Sequence, residues 1–201
     1  GIRDAQESRG LGDVYKRQAY GLGLQGPDIF FYYLPSYVLE GHNIGALAHV
    51  RETSAFFQGL IESRNQFSSR TDLNIAEAYL IGFLGHYTLD TICHPYIYAM
   101  THYKDKKENA YFSRHAYLET DIDTALLDLK LHRQPCNFHT EDTIRLTHRQ
   151  KHVIASMLYY AYRYAFPDVK FRKYTMYLAI FSMQLGLWPV SYTHLRGPRD
   201  S

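Results

Sequence analysis

Apolar side chains recur three or four positions apart over much of the chain, which is the spacing of one helix face. The clearest such segments are 44–62, 71–92 and 111–131. The second is apolar around most of its circumference, so we expect that helix to be buried. The turn-rich segment 25–41 and the lysine-rich segment 101–109 are predicted to be loops. No segment of useful length alternates as a strand does, and the pattern predicts an all-α fold.

The C-terminal half contains two further predicted helices. Thr140 can cap a helix over 141–165, and a last helix is predicted over 171–188, after Pro167. The run 174–189 carries no charged residue but is shorter than the ~20 apolar residues that a membrane span needs. We therefore expect a buried helix there and no transmembrane span.

The two ends of the chain resemble a cloning sequence. Residues 13–18 back-translate to the transposon mosaic-end adaptor used for sequencing libraries, and residues 190–195 back-translate to its reverse complement. We therefore expect 1–18 and 190–201 to be adaptor-derived. The natural segment is then 19–189, a single domain truncated at its N-terminus. Without the two ends, basic and acidic residues are equal in number.

Composition excludes several classes of protein. With 201 residues, 46% of them hydrophobic, the chain can form one globular core and is too apolar to be disordered. The net charge of +2, without a dense Lys/Arg stripe, argues against a nucleic-acid partner. Cys93 and Cys136 fit neither a disulfide framework nor a thiolate zinc finger. A metal in this protein would therefore be held by nitrogen and oxygen.

Two predicted helices carry histidine and carboxylate at metal-ligand spacing. His86, Asp90 and His94 follow one another at steps of four residues, which places all three on one helix face. His115 and Glu119 repeat that step in the next helix. Such ligands suit zinc and can converge on one ion. Burial of several titratable groups costs several kcal/mol apiece unless a cation compensates. The clustering therefore favours a metal site over ordinary core histidines or helical salt bridges.

These residues resemble the bacterial zinc-dependent phospholipase C family, which includes the phosphatidylcholine-preferring phospholipases and the catalytic domain of clostridial alpha-toxin. The matching strings are 25–33, 48–53, 85–90, 93–95 and 115–119. The specific part is the order His…His-x3-Asp…His…His-x3-Glu, and the resemblance covers about residues 24–127. It implies a single-domain, multi-helix bundle of the phospholipase C and P1 nuclease type, with a buried multinuclear zinc site.

The resemblance also implies roles for individual residues. One zinc ion is expected on His49, His86 and Asp90, and a second on His94, His115 and Glu119. Asp28 matches the carboxylate of the catalytic centre, which acts as a base or orients the attacking water. A third zinc in the family uses the N-terminal amino group and an early histidine, neither of which can be located here. His102 is an alternative to His94, because the Asp90–His94 interval is two residues shorter than in toxin-like members.

The implied activity is hydrolysis of a phospholipid to diacylglycerol and a phosphorylated head group by metal-activated water. Contact with a membrane surface would accompany this activity. Residues 29–33 either line the site or pack in the core. One alternative is a single-strand nuclease of the S1/P1 type, disfavoured by the neutral natural segment and by Glu119, where those nucleases carry Asp. Another is a non-catalytic helical protein stapled by metal, disfavoured by the presence of Asp28.

Overall fold

The computed structural model describes residues 16–35, 44–102 and 111–193. Within these ranges the chain forms helices and no strand, which confirms the predicted all-α class. No helix in the described part combines the length and hydropathy that a membrane crossing requires. Of the ends predicted to be adaptor-derived, 1–15 and 194–201 lie outside the described residues, whereas 16–18 and 190–193 are helical. Most of the predicted loop 101–109 also lies outside them.

Seven described segments are α-helical, and four short 3-10 helices accompany them. In chain order the α-helices are α1 (16–23), α2 (Ile44–Val50), α3 (Thr53–Ser63), α4 (Arg70–Met100), α5 (Tyr111–Leu131), α6 (His148–Ala165) and α7 (Lys173–Thr193). The 3-10 helices are Gly26–Tyr32, Arg64–Gln66, Pro135–Asn137 and Thr140–Ile144. The chain divides into two compact units, 1–86 with 141–188, and 87–140 with 189–201.

The core of the first unit is built around aromatic rings from three helical segments. The fully buried Tyr162 of α6 meets Phe56 of α3 edge-on, with ring centroids 4.9 Å apart. Phe30 meets Tyr162 in the same way at 5.2 Å. The Tyr162 hydroxyl donates to the Ile44 carbonyl at 3.1 Å, which satisfies its polar group inside the core. These contacts fix the 3-10 helix Gly26–Tyr32 against α3 and α6.

Two predicted helix boundaries were wrong. The predicted helix 44–62 is interrupted because Glu52 takes a left-handed conformation with φ 53°, which an α-helix cannot accommodate. The predicted helix 141–165 begins as a 3-10 turn, and α6 starts only at His148. Its start is set by a capping box in which Gln150 N–H donates to Thr147 Oγ1 and Thr147 N–H donates to Gln150 Oε1.

The prediction that the helix over 71–92 is buried was also wrong for its C-terminal half. Ile75, Tyr79 and Phe83 of α4 are buried in the first unit. In the second unit, Leu89 is 61% exposed and Ile92 is 70% exposed. No described side chain of α5 is fully buried either. The apolar circumference of α4 therefore indicated a more complete burial than the structure has.

Candidate metal centres

The first cluster of potential ligands lies in the first unit. It consists of Asp28, His49 and His86, each offering one donor atom within 4.8 Å of the others. Asp28 comes from the 3-10 helix Gly26–Tyr32, His49 from the last turn of α2 and His86 from α4. Three elements distant in sequence thus bring one carboxylate and two imidazoles to one point.

Both imidazoles of this cluster are oriented by backbone carbonyls. His49 Nδ1 lies 2.8 Å from the Gly45 carbonyl oxygen, and His86 Nδ1 lies 3.1 Å from that of Leu24. Because a carbonyl only accepts, each Nδ1 carries a proton, which makes Nε2 the basic nitrogen of the neutral ring. This is the hydrogen-bond pattern of metal-ligating histidines, whose second nitrogen donates to a neighbouring acceptor.

The side chains of Asp28 and His49 lie close enough to share a proton or a metal ion. His49 Nε2 lies 3.0 Å from Asp28 Oδ1, so two electron-rich atoms face each other. This approach is favourable only when a proton or a metal ion lies between them. An imidazole and carboxylate donor set without sulfur fits zinc, so the residues present suit the ion that the sequence predicts.

The turn before Asp28 leaves no room for a side chain. Gly26 adopts φ 51°, and a Cβ built on it would lie 2.1 Å from His86 Cδ2 and 2.5 Å from His86 Nε2. The backbone of Gly26 therefore packs directly on the imidazole that belongs to the cluster. The sequence indicated a turn at this glycine but not its contact with a residue 60 positions away.

The aromatic segment after Asp28 is divided between the core and the surface. Ile29 and Phe30 are fully buried, whereas Phe31 and Tyr32 are 43% and 40% exposed. The Phe31 ring lies 5.7 Å from the His49 ring. Partial burial raises the pKa of the Tyr32 phenol, and the negative charge of Asp28 raises it further. Two aromatic side chains are thus exposed next to the first cluster.

The second cluster lies in the second unit and joins α4 to α5. It consists of His94, His115 and Glu119, with donor atoms within 4.8 Å of one another. Glu119 Oε1 lies 2.9 Å from His115 Nε2 and 3.6 Å from His94 Nε2. Asp90 Oδ1 is 4.0 Å from His94 Nε2, which places it beside this cluster. His102 follows α4 with φ 57° and belongs to neither cluster of described residues.

Tyr98, which the sequence analysis did not single out, contacts both imidazoles of the second cluster. Its ring is stacked on His94 at 5.0 Å with an interplanar angle of 21°, and lies 5.9 Å from the His115 ring. The Tyr98 hydroxyl lies 3.4 Å from His94 Nδ1, on the opposite side of the ring from the carboxylates. The only sequence signal for this contact is the spacing of four residues from His94 on the same helix.

The chain matches a known protein family. The family model described as zinc dependent phospholipase C matches residues 16–175 of the chain. This range contains every residue of both clusters, together with Asp90. No curated protein and no solved structure matches the chain.

Proposed function

Because the chain belongs to the zinc-dependent phospholipase C family, we propose that it hydrolyses phospholipids to diacylglycerol and a phosphorylated head group. The observation that carries this proposal is the first cluster. There a carboxylate and two imidazoles, both oriented by backbone carbonyls, converge beside exposed aromatic rings. Phosphodiester hydrolysis is the activity that the family supports, and the choice of phospholipid as substrate is our proposal.

We propose one zinc ion in each cluster. Asp28, His49 and His86 would hold the first ion, and His94, His115 and Glu119 the second. The position of Asp90 near His94 supports a role at the second ion. Its assignment to the first ion, implied by the resemblance, stays a prediction.

The chemistry divides between the metal and the protein. When bound, zinc would supply Lewis acidity toward the phosphodiester and a water molecule of lowered pKa as the nucleophile. The backbone carbonyls of Gly45 and Leu24 hold the two imidazoles in the tautomer that can bind. The Asp28 carboxylate has two oxygens, so it can share the ion through one and orient the attacking water through the other. Phe31 and Tyr32 give the lipid an apolar surface beside the reacting phosphate.

The test combines zinc content with activity. We expect the purified chain to contain about one zinc ion per cluster by elemental analysis. It should release phosphorylated head group from phosphatidylcholine, lose this activity with a chelator, and regain it with added zinc. His86→Gln and His115→Gln should each remove about one ion and most of the activity.

His148→Gln is the matched control, because His148 is exposed at the start of α6 and belongs to neither cluster. This variant should retain both zinc and activity. A folded chain without zinc would contradict the proposal. Zinc-dependent cleavage of single-stranded DNA, with no phospholipid hydrolysis, would instead establish the nuclease alternative.

A further inference from the structure

Helix α7 exposes an apolar stripe along one side. The side chains of this stripe follow at intervals of four, three and four residues, which keeps them on one face. They are Tyr174, Leu178, Phe181 and Leu185, with exposed fractions of 45%, 38%, 54% and 54%. The opposite face is buried in the first unit through Met176, Ala179, Ile180 and Met183. We call the four exposed residues the α7 stripe.

Cationic side chains accompany the α7 stripe. The guanidinium of Arg172 lies 5.8 Å from the Tyr174 ring centroid, and the Lys151 ammonium lies 5.9 Å from that of Phe181. Lys170 and Lys173 add two more positive charges near the start of α7, and the sequence contains no acidic residue from 169 to 193. An apolar face flanked by cations is typical of helices that lie on anionic membrane surfaces.

The C-terminal end of the α7 stripe lies close to the first cluster. Gly186, which follows Leu185, packs against Tyr32 so closely that a Cβ there would lie 2.8 Å from Tyr32 Cδ1. Tyr32 and its neighbour Phe31 are the exposed aromatic residues beside the cluster, and Phe31 contacts the His49 ring. The end of α7 that carries Leu185 therefore lies near the aromatic residues beside the first cluster.

We propose that the α7 stripe is the surface through which this chain binds a membrane containing anionic phospholipid. The inference rests on the proposed phospholipase function, since it assigns that activity a docking surface. Apolar side chains enter the boundary of the acyl region, and Lys170, Arg172 and Lys173 pair with lipid phosphates. The exposure of the stripe, its flanking charges and the contact of the adjacent Gly186 with Tyr32 all favour a lipid surface over a second protein chain.

The test is co-sedimentation with vesicles of phosphatidylcholine and phosphatidylglycerol. Phe181→Glu should lower the vesicle partition coefficient at least about tenfold, because it replaces a large apolar group with a charge. Leu185→Glu is a second, independent variant with the same expectation. Ile81→Glu is the matched control, since Ile81 is 60% exposed on α4 of the same unit, and should change the coefficient less than about twofold. Circular dichroism verifies that each variant is folded.

Hydrolysis of a monomeric short-chain phosphatidylcholine, measured in parallel, separates the two proposals. If the chain binds vesicles through the stripe but cleaves no phospholipid, the proposed function fails and the surface stands. If it cleaves the monomeric substrate while Phe181→Glu and Leu185→Glu bind vesicles like the parent, the surface is wrong. A lipid-free dimer that both substitutions dissociate would also overturn the inference, because the stripe would then be a self-association surface.

Discussion

Replacing Gly26 with alanine tests the geometry of the first cluster most directly. Gly26 has a left-handed backbone, and the added Cβ would overlap His86 Cδ2, Cγ and Nε2 at 2.1, 2.5 and 2.5 Å. No non-bonded carbon atoms approach so closely, since their optimal separation is about 3.5–4.0 Å. Either the His86 ring or the backbone before Asp28 must move, and both belong to the proposed zinc site.

The energetic cost of Gly26→Ala follows from two terms. A left-handed conformation costs a residue with a Cβ about 1–2 kcal/mol. Overpacking of a well-filled interior costs about 1–3 kcal/mol more. Together these lower the free energy of unfolding by about 2–5 kcal/mol, a large part of the ~5–15 kcal/mol typical of a folded protein. Loss of the hydrogen-bond partner of a metal ligand lowers metal affinity by ~10–100-fold. Displacement of His86 removes a ligand itself, so the zinc affinity of the first cluster should fall by more than that.

The assay is zinc content after dialysis, together with urea denaturation. The control is Gly85→Ala, which lies next to His86 but meets only the flexible end of Leu24, with Cδ2 at 3.0 Å. In a helix interior alanine is more favourable than glycine by up to ~1 kcal/mol, so this variant should keep its zinc and its stability. If Gly26→Ala also retains both zinc ions and its urea midpoint, the proposed packing of Gly26 on His86 is refuted.

Two further substitutions each remove one tyrosine hydroxyl. Tyr98→Phe keeps the ring stacked on His94 but removes the hydroxyl 3.4 Å from Nδ1, so zinc affinity of the second cluster should fall about tenfold in competition with a chromophoric chelator. Tyr96→Phe is the control, because Tyr96 is exposed on the same helix, and it should leave the zinc affinity of the second cluster unchanged. If Tyr98→Phe and Tyr96→Phe bind zinc equally well, the Tyr98 hydroxyl has no positioning role. Tyr79→Phe should raise the free energy of unfolding, measured in urea, by about 1 kcal/mol. The reason is that the buried Tyr79 hydroxyl has no hydrogen-bond partner in the described part of the chain. A loss of stability would contradict this account. Burial also raises the pKa of the Tyr79 and Tyr162 phenols, so above the ordinary value of 10.0 these groups ionise first in the unfolded chain. The free energy of unfolding should therefore fall above that pH by ~1.4 kcal/mol per pH unit for each tyrosine. Tyr79→Phe should remove one of these two contributions.

The sequence predicted the helices well where periodicity was long and the ends were marked. The helix over 111–131 has the predicted bounds, because Pro135 and polar residues follow a sustained apolar pattern. The break at Glu52 could not be predicted, because arginine and glutamate at 51 and 52 are ordinary helix formers. Local preference therefore gave no sign of its left-handed conformation.

The two candidate clusters differ in how far the sequence could predict them. His115 and Glu119 are neighbours by helical spacing alone, and the structure brings His94 to them. Asp28, His49 and His86 come from three separate elements, so no spacing rule could group them. The sequence analysis placed Asp28 near the catalytic centre only through resemblance, and Asp90, grouped there with His86, lies beside His94.

The two clusters contribute differently to the units that contain them. In the first unit, the rings around Tyr162 form an apolar core that does not depend on the cluster. In the second unit, α5 has no fully buried described side chain, and Arg114 Nε of α5 donates a hydrogen bond to the carbonyl of Thr101, just after α4. A ligand that binds only the folded state stabilises it by RT ln(1 + [L]/Kd), whatever the size of the core. Zinc on His94, His115 and Glu119 would therefore supply a larger share of the stability of its unit than zinc on the first cluster. By this argument a zinc ion in the second cluster would principally attach α5 to α4, while one in the first cluster, beside exposed aromatic rings, would be the better placed for catalysis.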